Sequence, residues 1–180
     1  MIDVIVQQPP RTIMEVFKLL PEGTLAEIIE NKLYMSPTPV TKHQRIISKL
    51  LSGLYVFVNK DDKGEVFTAP FDVFLDEESN AVQPDIIFVS KENSKIIDEE
   101  TTIHGVPDLL IEILSPGNRK HDLVTKKDLY EKFGVKEYWI IDPETKEPIG
   151  YTFEKGVYQE LPKCPSGTIS SLLLGEKFSF

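Results

Sequence analysis

Two carboxylates in apolar strand patterns, Asp85 and Glu112, are the residues best placed to do chemistry. Glu112 lies in LLIEILS, where strand alternation puts apolar side chains on both faces. Its carboxylate therefore needs a cation, a metal ion or hydrogen-bond donors. Asp85 begins the run DIIFVS, directly after Pro84. Because like charges on neighbouring strands repel unless a divalent cation joins them, and all-oxygen ligands favour magnesium or manganese, the pair indicates such a metal site.

A lysine on the helix that follows Glu112 extends this pattern. In KHDLVTKKDLYEKFGV, the residues Asp122, Lys126 and Tyr130 recur every four positions and share one helix face. Lys127 lies about 100° round the helix and is expected to face solvent. Two other interpretations stay open: a solvated amphipathic helix, and a structural salt bridge that neutralises Glu112.

Strands and helices predicted from the apolar pattern position these residues. A buried strand at 109–115 is broken at 116–118, a helix at 121–133 ends at a left-handed Gly134, and a second buried strand follows at 138–142. The other predicted elements are helices at 12–20 and 43–60, a hairpin at 25–35, strands at 65–69, 71–76 and 85–90, a short helix with a loop at 91–105, and a hairpin formed by 149–153 and 157–161. This order predicts an α/β or α+β fold around one mixed sheet.

Composition narrows the classes of protein. The chain has 180 residues, of which 41% are hydrophobic, so we expect one domain spanning 1–180. Its longest apolar stretch is far below the ~18 residues of a membrane-spanning helix. The start, MIDVIVQQPPRT, lacks the pattern of a secretory signal, and the single Cys164 forms no internal disulfide. A cytoplasmic location is therefore expected.

The motifs of the chain resemble those of a known family. They are similar to the Uma-type restriction endonuclease domain of the PD-(D/E)XK nuclease superfamily at Pro84-Asp85, at Glu112 in its aliphatic strand followed by Ser115-Pro116, at Asp122, Lys126 and Tyr130, and at GVKEYWIIDP. Upstream, the similarity extends to Glu27, the turn near Asn31, MSPTP and His43. It covers about residues 12–175.

The resemblance implies a restriction-endonuclease-like fold, with a mixed central β-sheet flanked by helices and β-hairpins added to it. It also implies that Asp85 and Glu112 bind magnesium, for which manganese can substitute, and that a lysine orients or activates the attacking water. The superfamily's lysine belongs two residues after the second acid, where this chain has Leu114. Lys126, on the following helix, is expected to act in its place.

Five further residues are secondary candidates for the site: Glu30, His43, Asp72, Asp122 and Tyr130. In the superfamily an acid from the first helix or nearby often adds a metal ligand through water, and Glu27, Glu30 and His43 compete for that role. Asp72 lies one predicted strand before Asp85 and is expected to line the same cleft.

The net charge of −9, from 20 Lys and Arg against 29 Asp and Glu, opposes nucleic-acid binding over most of the surface. Basic residues nevertheless crowd near the predicted site in the sequence: Arg119, Lys120, Lys126, Lys127, Lys132 and Lys136. The pattern predicts weak, salt-sensitive binding of DNA through one basic face, helped by the metal ion.

The predicted function is a magnesium-dependent endonuclease that hydrolyses phosphodiester bonds of DNA. A homodimer is expected, because two sites most simply cut both strands of a duplex. The alternative is a non-catalytic interaction module that keeps the nuclease fold, with Glu112 and Lys126 as a structural ion pair. A well-ordered Glu112–Lys126 contact with no room for a metal would favour that module. A third class, an enzyme acting on a small phosphorylated substrate, would use the same carboxylates, although the chain has no glycine-rich phosphate loop.

Overall fold

The computed structural model of the chain describes residues 9–115 and 119–180. Its helices are α1 (Ile13–Phe17), a 3₁₀-helix (Lys91–Ile96), α2 (Thr41–Lys60), a π-helix (His121–Lys126) and α3 (Lys127–Phe133). Its strands are β1 (Ala26–Ile29), β2 (Lys32–Met35), β3 (Gly64–Thr68), β4 (Val73–Phe74), β5 (Ala81–Val82), β6 (Ile86–Ser90), β7 (Ile103–His104), β8 (Leu109–Ile113), β9 (Glu137–Ile141), β10 (Pro148–Glu154), β11 (Val157–Glu160), β12 (Thr168–Ser171) and β13 (Glu176–Ser179). The predicted break at 116–118 and the first eight residues of the segment inspected for a secretory signal lie outside the described residues.

The larger sheet has six strands in the order β11-β10-β9-β8-β6-β3, and it is mixed, because β8 pairs parallel with β9 and antiparallel with β6. Alternation along β8 sends Leu109 and Ile111 to the core beneath α2, and Leu110 to the opposite core, which contains Tyr130 of α3. Burying both faces of a strand in this way requires the near-continuous aliphatic sequence that β8 has. Helices therefore cover both faces of the sheet, as predicted.

A second sheet, of five strands in the order β2-β1-β5-β4-β7, carries the amino-terminal hairpin. The prediction of a single mixed sheet was therefore wrong: a two-stranded β12–β13 sheet is also present. Three strands of the second sheet are only two residues long, too short to show an alternating pattern. The predicted strand at 71–76 is correspondingly reduced to Val73–Phe74.

Local signals at the ends of elements were more reliable. Thr12 caps α1, since its Oγ1 accepts a hydrogen bond from the Glu15 amide at 3.1 Å. Gly134 has φ 75° at the end of α3, as predicted, and Asn31 has φ 60° in the β1–β2 turn. The helix predicted at 121–133 is instead a π-helix followed by α3. Within the described ranges, no helix is long and apolar enough to cross a membrane.

Candidate active site

The two predicted acids lie side by side at one end of the central sheet. Antiparallel pairing of Ile86 with Ile111 places Asp85, just before β6, next to Glu112 of β8. The Ile113 amide donates a hydrogen bond of 2.7 Å to Asp85 Oδ2. Both acids line a cleft with a free volume of about 580 Å³. The prediction that they occupy neighbouring strands is confirmed.

Lys126 lies at the centre of a buried carboxylate cluster. Its Nζ is 2.8 Å from Glu112 Oε1, 2.9 Å from Glu27 Oε1 and 3.8 Å from Asp122 Oδ1. All four residues are buried. Lys126 and Asp122 come from the two ends of the π-helix, a distortion that is frequent at functional sites. The structure thus brings Glu112 and Lys126 into direct contact.

Two tyrosines support this cluster from the α3 side of the sheet. The Tyr130 hydroxyl donates to Glu112 Oε1 at 2.9 Å, and the Tyr138 hydroxyl donates to the Asp122 carbonyl at 3.1 Å. Tyr130 and Lys126 therefore both meet Oε1 of Glu112, and none of the residues that the structure describes donates to its Oε2. Because Glu112 lines the cleft, that oxygen is placed to meet a ligand.

Glu27 enters the cluster from the second sheet. Its Oε1 accepts a 2.8 Å hydrogen bond from the Gln83 amide, and its Oε2 lies 3.6 Å from His121 Nε2. The His121 ring in turn contacts the Tyr34 ring, with centroids 4.6 Å apart. Glu27 therefore joins the hairpin to the π-helix through charge.

His43 holds Asp85 from the first turn of α2. Its Nε2 lies 3.0 Å from Asp85 Oδ2, and the side chain is buried. Burial lowers the pKa of His43, but the hydrogen bond and the charge of Asp85 outweigh it, so that the net shift is upward. The imidazole beside Asp85 is thus more easily protonated than an ordinary histidine.

The carboxylates of the cluster differ in how easily they ionise. Burial raises the pKa of Glu27, yet Lys126, His121 and the Gln83 amide lower it overall to about 2. For Glu112, burial raises the pKa well above its ordinary value; Lys126 lowers it, but by less than burial and the repulsion from Asp85, Asp122 and Glu27 together raise it. Burial likewise raises the pKa of Asp122 to about 6. Lys126 therefore does not fully stabilise the anions of the cluster, and Glu112 and Asp122 ionise less readily than ordinary carboxyl groups.

These oxygen donors fit a hard cation. Magnesium usually keeps several waters and binds proteins through one or two carboxylates, which Asp85 and Glu112 can supply at the cleft wall. In the part of the chain that the structure describes, no group of three or more His, Cys, Asp or Glu side chains could hold a metal ion. Asp85 and Glu112 are therefore two carboxyl groups that a cation in the cleft would meet.

Two secondary candidates lie away from the cleft, which corrects the prediction for both. Glu30 is exposed in the β1–β2 turn, where it faces Lys132 at 3.4 Å. Asp72 accepts a 2.7 Å hydrogen bond from the Gln83 side chain. Gln83 lines the cleft, but Asp72 does not. Glu30 follows β1 into the turn, whereas Glu27, three residues earlier, points into the cluster.

Gln83 and His121 were not predicted as site residues, and Glu27 was predicted only as one of three residues that compete to add a metal ligand. The signal for Glu27 was available, because it lies in the strand AEII, where all four residues are buried. This is the pattern that singled out Glu112. His121 and Gln83 become part of the site through tertiary contacts that no local pattern indicates.

Most of the basic residues that crowd near Lys126 in the sequence contact acids or aromatic rings. Lys126 is buried among carboxylates, Lys132 pairs with Glu30, and Lys136 pairs with Asp108 at 2.6 Å. Two further basic residues also have partners. Arg119 pairs with Asp142, and the Lys127 ammonium lies 5.2 Å from the Tyr151 ring centroid, so it does not face solvent only. Residues close in sequence point in different directions round a helix, so their proximity in the chain does not make a surface.

Comparison with known proteins defines first a class and then a family. A crystal structure of a protein from Anabaena variabilis ATCC 29413, described as a "putative nuclease belonging to DUF820", matches with a TM-score of 0.68 and 26% identity over 84% of each chain. The mixed α+β architecture is therefore nuclease-like. The model of the Uma2 family, described as "Putative restriction endonuclease", matches residues 14–179, and the chain belongs to that family. No curated protein matches the chain.

Proposed function

We propose that the chain is a magnesium-dependent endonuclease that hydrolyses phosphodiester bonds of DNA in the cleft beside Lys126. The observation that carries this proposal is the cluster of buried carboxyl groups that share one lysine beside Asp85 at the cleft. Buried carboxyl groups ionise readily only when cations or donors compensate them, and a divalent cation would do so here. Membership of a family described as restriction endonucleases supports the same conclusion.

Asp85 and Glu112 would hold the magnesium ion, and manganese could replace it. When bound, the ion supplies a Lewis acid for the phosphoryl oxygens and lowers the pKa of water in the site. Asp85 is kept in place for this role by the Ile113 amide and by His43. Tyr130 fixes Glu112 by donating to Oε1, which leaves Oε2 towards the cleft.

Lys126 is proposed to orient the attacking water or to stabilise the charge that develops on the phosphate. Its ammonium also pairs with Glu27 at 2.9 Å, so Lys126 would keep a partner if Glu112 held the metal ion. Burial lowers the pKa of Lys126, but Glu112, Glu27 and Asp122 raise it overall well above its ordinary value. Lys126 therefore stays protonated at neutral pH and acts as a fixed positive charge rather than as a general base.

Cleavage of plasmid DNA with magnesium tests this proposal. We expect Lys126→Ala to lose about 100-fold or more in rate, the usual scale for one preorganised charge in a transition state. Lys127→Ala, its neighbour over the Tyr151 ring, is the matched control and should keep wild-type activity. Equal loss in both variants would contradict the assignment of Lys126, and an inactive Lys127→Ala beside an active Lys126→Ala would reverse it.

A non-catalytic interaction module is the second candidate, and one observation favours it. Lys126 and Glu112 are 2.8 Å apart, as expected of a structural ion pair. The two functions differ in what magnesium does. If the module is correct, magnesium neither binds the wild-type protein nor promotes cleavage, and replacing the pair by Gln and Met leaves partner binding intact.

A further inference from the structure

A groove beside the cleft is lined mainly by basic residues, although the protein as a whole is acidic. Four of the residues that line it are basic, Lys42, Arg45, Lys49 and Lys146, and one is acidic, Glu144. The free volume of this groove, which we call the basic groove, is about 850 Å³. The chain has a net charge of −9, so a groove lined by four cations and one carboxylate differs in sign from the protein as a whole.

Three of these cations form one stripe along α2. Lys42, Arg45 and Lys49 follow the i, i+3, i+7 spacing that keeps side chains on one helix face. Ile46 and Leu50 are buried on the adjoining face, so the stripe lies on the solvent side. It extends about 10 Å at 1.5 Å per residue. This length corresponds to roughly three nucleotides of one DNA strand, which carry one charge per ~3.4 Å of axis.

The basic groove and the cleft lie at the same end of the sheet. Parallel pairing of Ile113 with Ile141 aligns the ends of β8 and β9, and the Leu114 amide bonds to the Ile141 carbonyl at 2.9 Å. Glu144 and Lys146 follow β9 at that end, where Glu112 and Ile113 at the end of β8 line the cleft. On α2, His43 lines the cleft next to Lys42 of the groove.

Three of the four basic residues of the groove form no ion pair with the residues that the structure describes. Arg45, Lys49 and Lys146 are exposed and form no ion pair with any residue in 9–115 or 119–180. Lys42 does form one, with Glu144 at 2.6 Å, and both of those side chains are more than half exposed. Such an exposed pair is weak and is readily exchanged for another anion.

We propose that the basic groove binds the phosphate backbone of DNA next to the scissile bond. This inference rests on the proposed nuclease function, to which it adds the surface that positions the substrate. Phosphate contacts fix the register of a protein on a duplex without reading its sequence. The acidic remainder of the surface repels the duplex and so directs it to this groove. Glu144 competes with the phosphates for Lys42 and weakens binding.

The test measures the anisotropy of a fluorescent DNA duplex without divalent metal, so that binding is observed apart from cleavage. The variant Arg45→Gln/Lys49→Gln should bind about tenfold or more weakly at low salt. Its slope of log affinity against log salt should be shallower by about 2, since each lost phosphate contact removes about 0.9. Glu144→Gln should bind more tightly than wild type. The control is Lys95→Gln/Lys163→Gln, which removes the same charge from exposed residues elsewhere.

Each outcome decides the proposal. A control variant that loses as much affinity as the groove variant overturns it, because bulk charge would then explain binding, and so does a groove variant that binds like wild type. If DNA binding depends on the basic groove but the wild-type protein does not cleave DNA with magnesium, the groove proposal is supported and the nuclease proposal is contradicted. Cleavage with wild-type kcat/KM in the groove variant keeps the nuclease and rejects the groove.

Discussion

The strand β8 carries one acid at each end, Asp108 just before it and Glu112 within it, and the two are held in opposite ways. Asp108 Oδ2 accepts hydrogen bonds from the Ser90 amide at 2.7 Å and from the Asn93 side chain, and Lys136 pairs with Oδ1. Burial raises the pKa of Asp108, but these partners lower it overall. The pKa of Glu112 moves upward instead, through burial and neighbouring carboxylates.

This difference distinguishes a structural acid from a functional one. Asp108 has donors enough to be stable as an anion, so it needs nothing from outside the protein. Glu112 shares its lysine with Glu27 and Asp122 and has no backbone donor, so its anion is unfavourable until another cation arrives. Strongly perturbed carboxylates in a cleft are the usual mark of a functional site.

The largest expected effect comes from removing each acid's lysine. Lys126→Met should lower the free energy of unfolding by about 3–5 kcal/mol, because several buried carboxylates lose their cation. Lys136→Met should cost about 1 kcal/mol or less, since Lys136 is 60% exposed and Asp108 keeps its backbone donor. Urea denaturation at pH 7 measures both. Equal losses would remove the distinction between the two ends of β8.

The second effect is a pH dependence of opposite sign for Asp122, which belongs to the cluster around Lys126, and for Asp108. The pKa of Asp122 is raised by burial from 3.8 to about 6, so its contribution to stability is present below pH 3.8 and lost as pH rises through 6. At 1.4 kcal/mol per pKa unit, that loss is on the order of 3 kcal/mol. Asp108, whose pKa is lowered, contributes stability above pH 3.8 that is lost on acidification.

Urea denaturation of Asp122→Asn between pH 3.5 and 7.5 checks this sign. The variant should gain stability relative to wild type as pH rises, while Asp108→Asn should lose it over the acidic part of the range. A constant difference between Asp122→Asn and wild type across the range would show that Asp122 ionises normally.

The smallest effect compares amide substitutions of the two acids at pH 7. Asp108→Asn should destabilise by about 2 kcal/mol, because charge-assisted hydrogen bonds from Ser90 and Asn93 are weakened. Glu112→Gln should change stability by less than about 1 kcal/mol, since a carboxyl that resists ionisation already resembles an amide. Thermal unfolding of the two variants distinguishes these cases, and the reverse order would identify Glu112 as the structural acid.

Local patterns predicted the parts of the site that one element defines. Alternation gave the two faces of β8, and the four-residue repeat gave the shared face of Asp122, Lys126 and Tyr130. The capping residue Thr12 and the left-handed Gly134 were equally local. Such features follow from backbone geometry within about ten residues, so the sequence alone suffices to find them.

Features made by distant segments escaped prediction. The apolar pattern of β1 indicates that Glu27 is buried, but its contact with Lys126 arises because two sheets converge, which no pattern within one element shows. The basic groove likewise joins α2 to the turn after β9, nearly a hundred residues away. The basic residues near Lys126 in the sequence were predicted to form one face. Their partners could not be predicted, because residues that are close in the chain pair with different acids.

Calorimetric titration with magnesium tests the central claim most directly, that the carboxyl groups of Asp85 and Glu112 at the cleft are a cation site. We expect binding to wild type, its loss in Asp85→Asn/Glu112→Gln, and its retention in Glu30→Gln, whose carboxylate lies outside the cleft. Magnesium affinity that is unchanged in the double variant would contradict the claim, and so would a wild-type protein that binds no magnesium.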